Sequence, residues 1–180
     1  MGFFGYDKNE KLEFNNKRLC GMWLILISLV LFISILTGGN QIINMSLFSI
    51  GYFISFFSVF MNKKIINKLS YGKLNKFQKK ISLYSIILLF ILMSLFGGVF
   101  FATNNWRMIW LGALMATSIH FLPYYFVHGK SMIFLSVITS INIAIGYIFS
   151  DISLIFIAYI DVIIKFIFGT YLLFFSKYEK

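Results

Sequence analysis

ISLIFIAYIDVIIKFIFGTYLLFF, Ile152 to Phe175, is a long apolar run whose only charged residues are Asp161 and Lys165. About 20 such residues, rising ~1.5 Å each, are enough for a helix to cross ~30 Å of hydrocarbon. Five further runs upstream meet the same criterion: Leu19–Thr37, Ile42–Met61, Ile81–Ala102, Met108–Val127 and Met132–Ser150. None alternates apolar with polar residues as the strands of a membrane barrel do. Helices also satisfy their own backbone groups in lipid. The expected fold is therefore all-α, a polytopic transmembrane helix bundle of six spans, at about 19–37, 42–61, 81–102, 108–127, 132–150 and 152–175.

The totals agree with this reading. Of 180 residues, 59% are hydrophobic, 20% aromatic and 12% charged. Soluble domains hold about 45–50% apolar and about 25% charged residues, so an ordinary soluble enzyme, a disordered tail and a coiled coil are excluded. The net charge of +10 lies between the apolar runs. Lys8, Lys11, Lys17 and Arg18 precede the first run. Lys63, Lys64, Lys68, Lys73, Lys76, Lys79 and Lys80 separate the second from the third, Lys130 separates the fourth from the fifth, and Lys177 and Lys180 follow the sixth. With six spans all of these fall on one side and only Arg107 on the other, so both termini are expected in the cytoplasm. The domain reading is a cytoplasmic segment 1–18, a transmembrane domain 19–176 with a basic cytoplasmic loop 62–80, and a tail 177–180.

The first apolar run follows a basic stretch, as in a signal peptide. It is longer than a usual signal core and is followed by Thr37-Gly38-Gly39-Asn40 rather than a small-residue cleavage site, so it is read as an uncleaved span. The wealth of Ile, Phe, Asn, Lys and Tyr suggests an AT-rich bacterial gene, and hence the inner (plasma) membrane. Cys20 is the only cysteine, which excludes an internal disulfide and a cysteine-based metal cluster. Trp106 and Trp110 are expected at the outer interface, and Trp23 with Tyr124 and Tyr125 towards the inner one.

Two stretches carry a family resemblance. They are GGVFFATNNWRMIWLGALMATSIHFLPYYFVHGKSMIF, Gly97 to Phe134, and TGGNQ, Thr37 to Gln41. Through them the chain, from Lys17 to Ser176, resembles an uncharacterised family of small bacterial integral membrane proteins with six predicted spans. The resemblance implies a topology and no activity, so no catalytic or binding residue follows from it.

The chemistry-bearing candidates lie in the last three runs. Asp161 and Lys165 are spaced i, i+4 and share a helix face. Counted from Asp151 and Lys177, they lie roughly 15 and 18 Å deep. Each unpaired charge near mid-membrane costs about 2.5–3.5 kcal/mol on the insertion scale, and such residues mark function by default. The competing reading is a structural ion pair. His120 lies past the middle of the fourth run, with an ordinary pKa suited to a proton relay. Pro123 cannot donate to the carbonyl of Ile119, which predicts a kink with a free acceptor beside the histidine. His120, Tyr124 and His128 follow one stripe at i, i+4, i+8. Asn142, with Ser136, Thr139 and Ser140 nearby, reads as helix-to-helix glue or as part of the same site. His120, Asn142, Asp161 and Lys165 fall within a slab of ~10 Å.

In the basic loop, Ile65, Ile66 and Leu69 suit a short interfacial helix whose lysines reach anionic lipid headgroups. No phosphate loop, zinc helix or nucleophile elbow occurs, so neither catalytic residues nor a cofactor or metal is expected. Nucleic-acid binding is not expected either, because no recognition motif accompanies the charge. The leading expectation is a small transporter-like or channel-like protein handling a solute or ion. The alternative is a non-enzymatic assembly partner or immunity-type protector acting through helix faces, with homo-oligomers open to it.

Overall fold

A computed structural model describes residues 12–176. Lys8, Lys11 and most of the segment 1–18, together with the tail 177–180, lie outside the described residues. The described chain is helical throughout: α1 (Lys17–Leu36), α2 (Met45–Phe60), α3 (Lys63–Leu69), α4 (Lys76–Phe96), α5 (Trp106–His120), α6 (Tyr125–His128), α7 (Ser131–Ile148) and α8 (Leu154–Thr170), the last continued by a π-helical turn Tyr171–Phe175. Four helical stretches are long and apolar enough to cross a membrane: Lys17–Leu36, Lys76–Thr103, Ser131–Ile148 and Leu154–Phe175. Helices α2 and α3 qualify together as a fifth, bent by 64°. Helix α5, at 15 residues, is too short by this measure.

Asparagines set several helix starts. The side chains of Asn44, Asn62 and Asn105 accept backbone N–H bonds from the first turns of α2, α3 and α5. Asn75 and Gln78 form a reciprocal capping box at α4. These caps satisfy amides that a helix leaves unpaired. The loop 62–80 is thus largely ordered: it holds α3 and the first turn of α4. Leu69 is buried and Ile65 and Ile66 pack with Leu19 and Trp23, while Lys63, Lys64 and Lys68 are exposed. The apolar face of α3 packs on α1 and α2, with Ile65 and Ile66 partly exposed.

Helix α1 lies between α2 and α8. Helix α8 packs next on α7, α7 on α5 and α5 on α4. The order α2–α1–α8–α7–α5–α4 leaves α2 and α4 as the two flanks of a cleft, where cavities of about 100 and 250 Å³ lie. Glycines permit the closest crossings. A Cβ on Gly21 would stand 2.6 Å from the carbonyl oxygen of Gly169 in α8. One on Gly97 would stand 2.7 Å from the carbonyl oxygen of Ile109, and one on Gly112 would collide with the Phe96 peptide. Close backbone approach is the usual basis of packing between helices in lipid.

Two ends can be told apart. At one, Gln78 is fully buried and donates to the carbonyls of Glu13 and Phe126 at 2.9 and 3.0 Å. Ser70 donates to Asn16, and Arg18 donates to the Leu173 carbonyl. This end carries the lysines of the 62–80 segment and Lys130. At the other end the Arg107 guanidinium donates to the carbonyls of Gly146, Phe149 and Ile152, at 2.7, 3.1 and 2.8 Å. It thereby caps the C-terminus of α7 and clasps the α7–α8 turn. Trp110, expected at the outer interface, belongs to this end. It is buried at 3% exposure, its indole N–H donating to the Gln41 carbonyl.

Arg107→Ala is expected to destabilise the chain by about 1.5–3 kcal/mol, because charged hydrogen bonds to carbonyls are lost together. Arg107→Lys restores less than half, since a single ammonium cannot reproduce the fork. Thermal unfolding of the detergent-solubilised chain measures both.

Candidate functional site

Helix α8 begins at Ser153, whose hydroxyl accepts from the Ile155 amide. It buries a face of Leu154, Ile157, Ala158, Asp161, Lys165 and Gly169. The i, i+3, i+4 spacing puts the Asp and Lys on the face turned to α1 and α7. Asp161 is 0% and Lys165 2% exposed. Lys165 Nζ donates to Asp161 Oδ2. Asp161 Oδ1 has no hydrogen-bond partner among the described residues, although a buried polar atom normally has one.

Asn142 belongs to the same layer without touching the pair's oxygens. Its Nδ2 donates to the carbonyl of Ile157, one turn before Asp161, at 2.9 Å. Ser136 ties α7 to its other neighbour by donating to the Ser118 carbonyl of α5 at 2.6 Å. Helix α7 therefore fixes the height of α8 against α5, and Asn142 holds the helix that carries the ion pair.

His120 is the last residue of α5. The chain turns over residues 121–124 and resumes as the single turn α6. This is a break rather than the expected kink in a continuous 108–127 span. The expected free acceptor is also absent: the Ile119 carbonyl accepts from the Leu122 amide at 3.0 Å. Pro123 forces the α5 ladder to stop, and the tightened turn satisfies the carbonyl that proline would otherwise orphan. The predicted aromatic stripe survives the break. His120 and Tyr124 rings meet edge to face at 5.7 Å, and Tyr124 and His128 stack at 5.5 Å. One His120 ring nitrogen, Nδ1, lies 2.5 Å from the Thr117 carbonyl, so it donates there, and the other ring nitrogen is the one free to accept.

These three rings line a cavity of about 220 Å³ at the lysine-rich end. Its other walls include Asn16, Trp23, Tyr52, Phe56 and Ser82. A smaller space of about 30 Å³ adjoins it, sharing Trp23, Tyr52, His120 and Phe121, and reaches Lys165. That is about the volume one water occupies in the liquid. His120 thus lines both spaces, and Lys165 of the ion pair lines the smaller one. Among the described residues no three His, Cys, Asp or Glu side chains come together as a metal-ligand group.

A family model matches residues 7–180. The chain belongs to DUF6609, a family of unknown function. No curated protein and no solved structure matches it. Membership in an uncharacterised family agrees with the resemblance carried by Gly97–Phe134 and Thr37–Gln41. It extends beyond Lys17–Ser176 at both ends. DUF6609 supplies no residue roles, so the site rests on its own geometry.

Of the four candidate residues, the structure joins His120 to Lys165 through a shared space and Lys165 to Asp161 directly. Asn142 serves the backbone of α8. Sequence reading did not find Tyr52, Trp23 and Asn16 as neighbours of His120 and His128. They sit on different helices, and no local pattern relates them. Gln78 was within reach, because Asn75-x-x-Gln78 is a capping-box spacing.

Proposed function

We propose that this chain is a six-span, non-enzymatic protein of the bacterial inner membrane with both termini in the cytoplasm, and that it moves a proton or small solute. The six long helices α1, α2, α4, α5, α7 and α8 alternate in direction between a lysine-rich end and an end whose basic residue is Arg107, which supports the orientation. At ~1.5 Å per residue α5 covers only ~22 Å, and the 121–128 connector supplies the remainder of that pass. Broken helices at membrane depth are tolerated where they line a cavity, and Phe121, Tyr124 and His128 of the connector do so. The observation that carries the proposal is this arrangement: a cavity at the basic end, lined by a broken pass, shares His120 with a smaller space lined by Lys165, the partner of the fully buried Asp161.

In this reading Asp161 binds or exchanges the cation, Lys165 is its counter-charge and His120 relays the proton. The test is flux into liposomes holding a pH-sensitive dye, driven by a potassium diffusion potential. The purified chain is expected to raise proton or monovalent-cation entry well above protein-free liposomes. His120→Gln and Asp161→Asn/Lys165→Gln are each expected to cut it about tenfold or more, with insertion unchanged. Flux at the protein-free level, or variants as active as the native chain, would refute the proposal.

Exposed Lys63, Lys64 and Lys68 of α3 fit contact with anionic headgroups. One observation favours the interaction reading as well. Helix α4 packs chiefly on α5, and turns Leu83, Ile87, Phe90, Ile91 and Leu95 outward. A second copy seated there would be lost on Ile87→Lys, as sizing in mild detergent would show.

A further inference from the structure

A groove of about 700 Å³ lies at the lysine-rich end and shares no lining residue with the cavity beside His120. Ligand pockets typically enclose ~300–1,000 Å³. Two cations border it, Lys17 from α1 and Lys130 from the turn between α6 and α7. Gly129 brings them together. Its φ of +84° lies in the left-handed region that favours glycine. A Cβ there would stand 3.4 Å from Lys17 Cε and 3.6 Å from the Phe14 ring. The Lys17 stem therefore packs against the turn whose next residue is Lys130. Lys17 is 7% exposed, and its ammonium lies 5.2 Å from the Phe14 ring centroid. Lys130 is exposed and makes no ion pair with a described residue.

The groove changes character along the helix axes. Lys17, Lys130 and Ser131 stand where α1 and α7 begin. Phe134 lies about one turn (~5.4 Å) further into α7. Ile167 and Phe168 of α8, with Tyr171 of its π-helical turn, complete the apolar wall. Phe134, Ile167 and Tyr171 are all exposed, so this part of the groove opens sideways from the bundle. Ammonium groups at the end with open apolar side chains deeper in match the order of phosphate and acyl chain in a phospholipid. No Asp or Glu lines the groove, so its walls do not repel a phosphate. Lysine binds phosphate as a point charge, and basic pockets between membrane helices on the cytoplasmic side bind anionic head groups. Inorganic phosphate would leave the apolar wall uncovered.

We propose that this groove binds an anionic glycerophospholipid, with its phosphate at Lys17 and Lys130 and an acyl chain along Phe134, Ile167 and Tyr171. The site is separate from the exposed lysines of α3. The proposal rests on the membrane placement given under the proposed function and not on ion movement. Lipid binding without flux would leave it standing, and flux without lipid selectivity would remove it alone.

The test is the thermal midpoint of the intact chain in mild detergent against phosphatidylglycerol, phosphatidylcholine and inorganic phosphate, since a ligand that binds only the folded state raises it with concentration. Phosphatidylglycerol is expected to bind about tenfold tighter than phosphatidylcholine or more, as two lysines allow. Inorganic phosphate at equal concentration is expected to give no shift. Lys130→Gln is expected to weaken phosphatidylglycerol about fivefold, the worth of one lysine near an anionic headgroup. Lys17→Gln/Lys130→Gln is expected to make the two lipids equal. Lys63→Gln/Lys64→Gln/Lys68→Gln removes three charges from the same end and is expected to leave the preference unchanged. Equal shifts from the two lipids, an inorganic phosphate shift as large as that from phosphatidylglycerol, or a loss in the triple α3 variant equal to that in Lys130→Gln would overturn the proposal. Should Lys17→Gln/Lys130→Gln fail to fold, Lys130→Gln at its exposed position and the triple α3 variant decide it.

Discussion

Lys165→Met alone is expected to destabilise the bundle by about 3–5 kcal/mol, the usual result of stranding one member of a buried pair. Asp161→Leu/Lys165→Met is expected to recover most of that loss. The reason lies in burial. Both side chains are closed off from the surface, so the Asp161 carboxylate left by Lys165→Met has lost its counter-charge and cannot reach bulk water. With both charges gone, two apolar side chains of similar volume fill the same interior space between α1, α7 and α8. The double variant should also lose flux completely while folding well, which separates the chemical role of the pair from its structural one. Denaturant midpoints of the single and double variants in one detergent give the answer. A cost below about 1 kcal/mol for the single change would be that of an exposed pair, and would contradict the buried arrangement.

The pair is not an efficient stabilising device. A buried ion pair offsets its desolvation only when its remaining hydrogen-bonding positions are filled, and Asp161 Oδ1 has no partner among the described residues. A sequence under selection for stability alone would do as well with apolar residues here. That imbalance is the physical reason the proposed function gives the pair a chemical role.

The second large effect is expected from Gly21→Leu. The Cβ of any substituent at this position would meet the Leu173 amide nitrogen at 2.5 Å and the Gly169 carbonyl oxygen at 2.6 Å. Both are backbone atoms, so no rotamer change relieves the clash. Helices α1 and α8 would have to part along the length that packs Asp161 and Lys165. The cost is expected at about 3 kcal/mol, the upper range for overpacking, with loss of the Arg18 bond to the Leu173 carbonyl. Gly39→Ala is the useful contrast. Its Cβ meets nothing within 4 Å, although its φ of +52° strains the change slightly, so about 1 kcal/mol is expected. The same denaturation series measures both. Equal costs for the two would show that the α1–α8 crossing is looser than described.

Sequence and structure agree where a single local signal is enough. The apolar runs that start at Leu19, Met132 and Ile152 became α1, α7 and α8 within a few residues, because length and hydropathy alone decide such helices. Ile65, Ile66 and Leu69 foretold α3 by their spacing, though not that its apolar face would meet Trp23 and Leu19. Tertiary packing chose that partner, and sequence spacing is blind to it. Pro123 announced an interruption, but whether the helix would kink or stop depended on the Leu122 amide turning back to the Ile119 carbonyl. Asp161 and Lys165 were legible as a pair because i, i+4 is fixed by helix geometry. Their link to His120 was legible only as shared depth. The cavity itself was hidden, since Tyr52, Ser82 and His128 meet only through the bundle's order.

Reaction of His120→Cys with N-ethylmaleimide, in a chain with Cys20→Ser, tests most directly whether the cavity reaches the ion pair. Ile157→Cys on α8, at 1% exposure and sealed in the core, is the control. The predicted result is modification of position 120 at least tenfold faster than position 157, slowed when the cavity is filled by Ser82→Trp. Equal, negligible labelling at both positions would mean that no path leads from the lysine-rich end to Lys165 and Asp161.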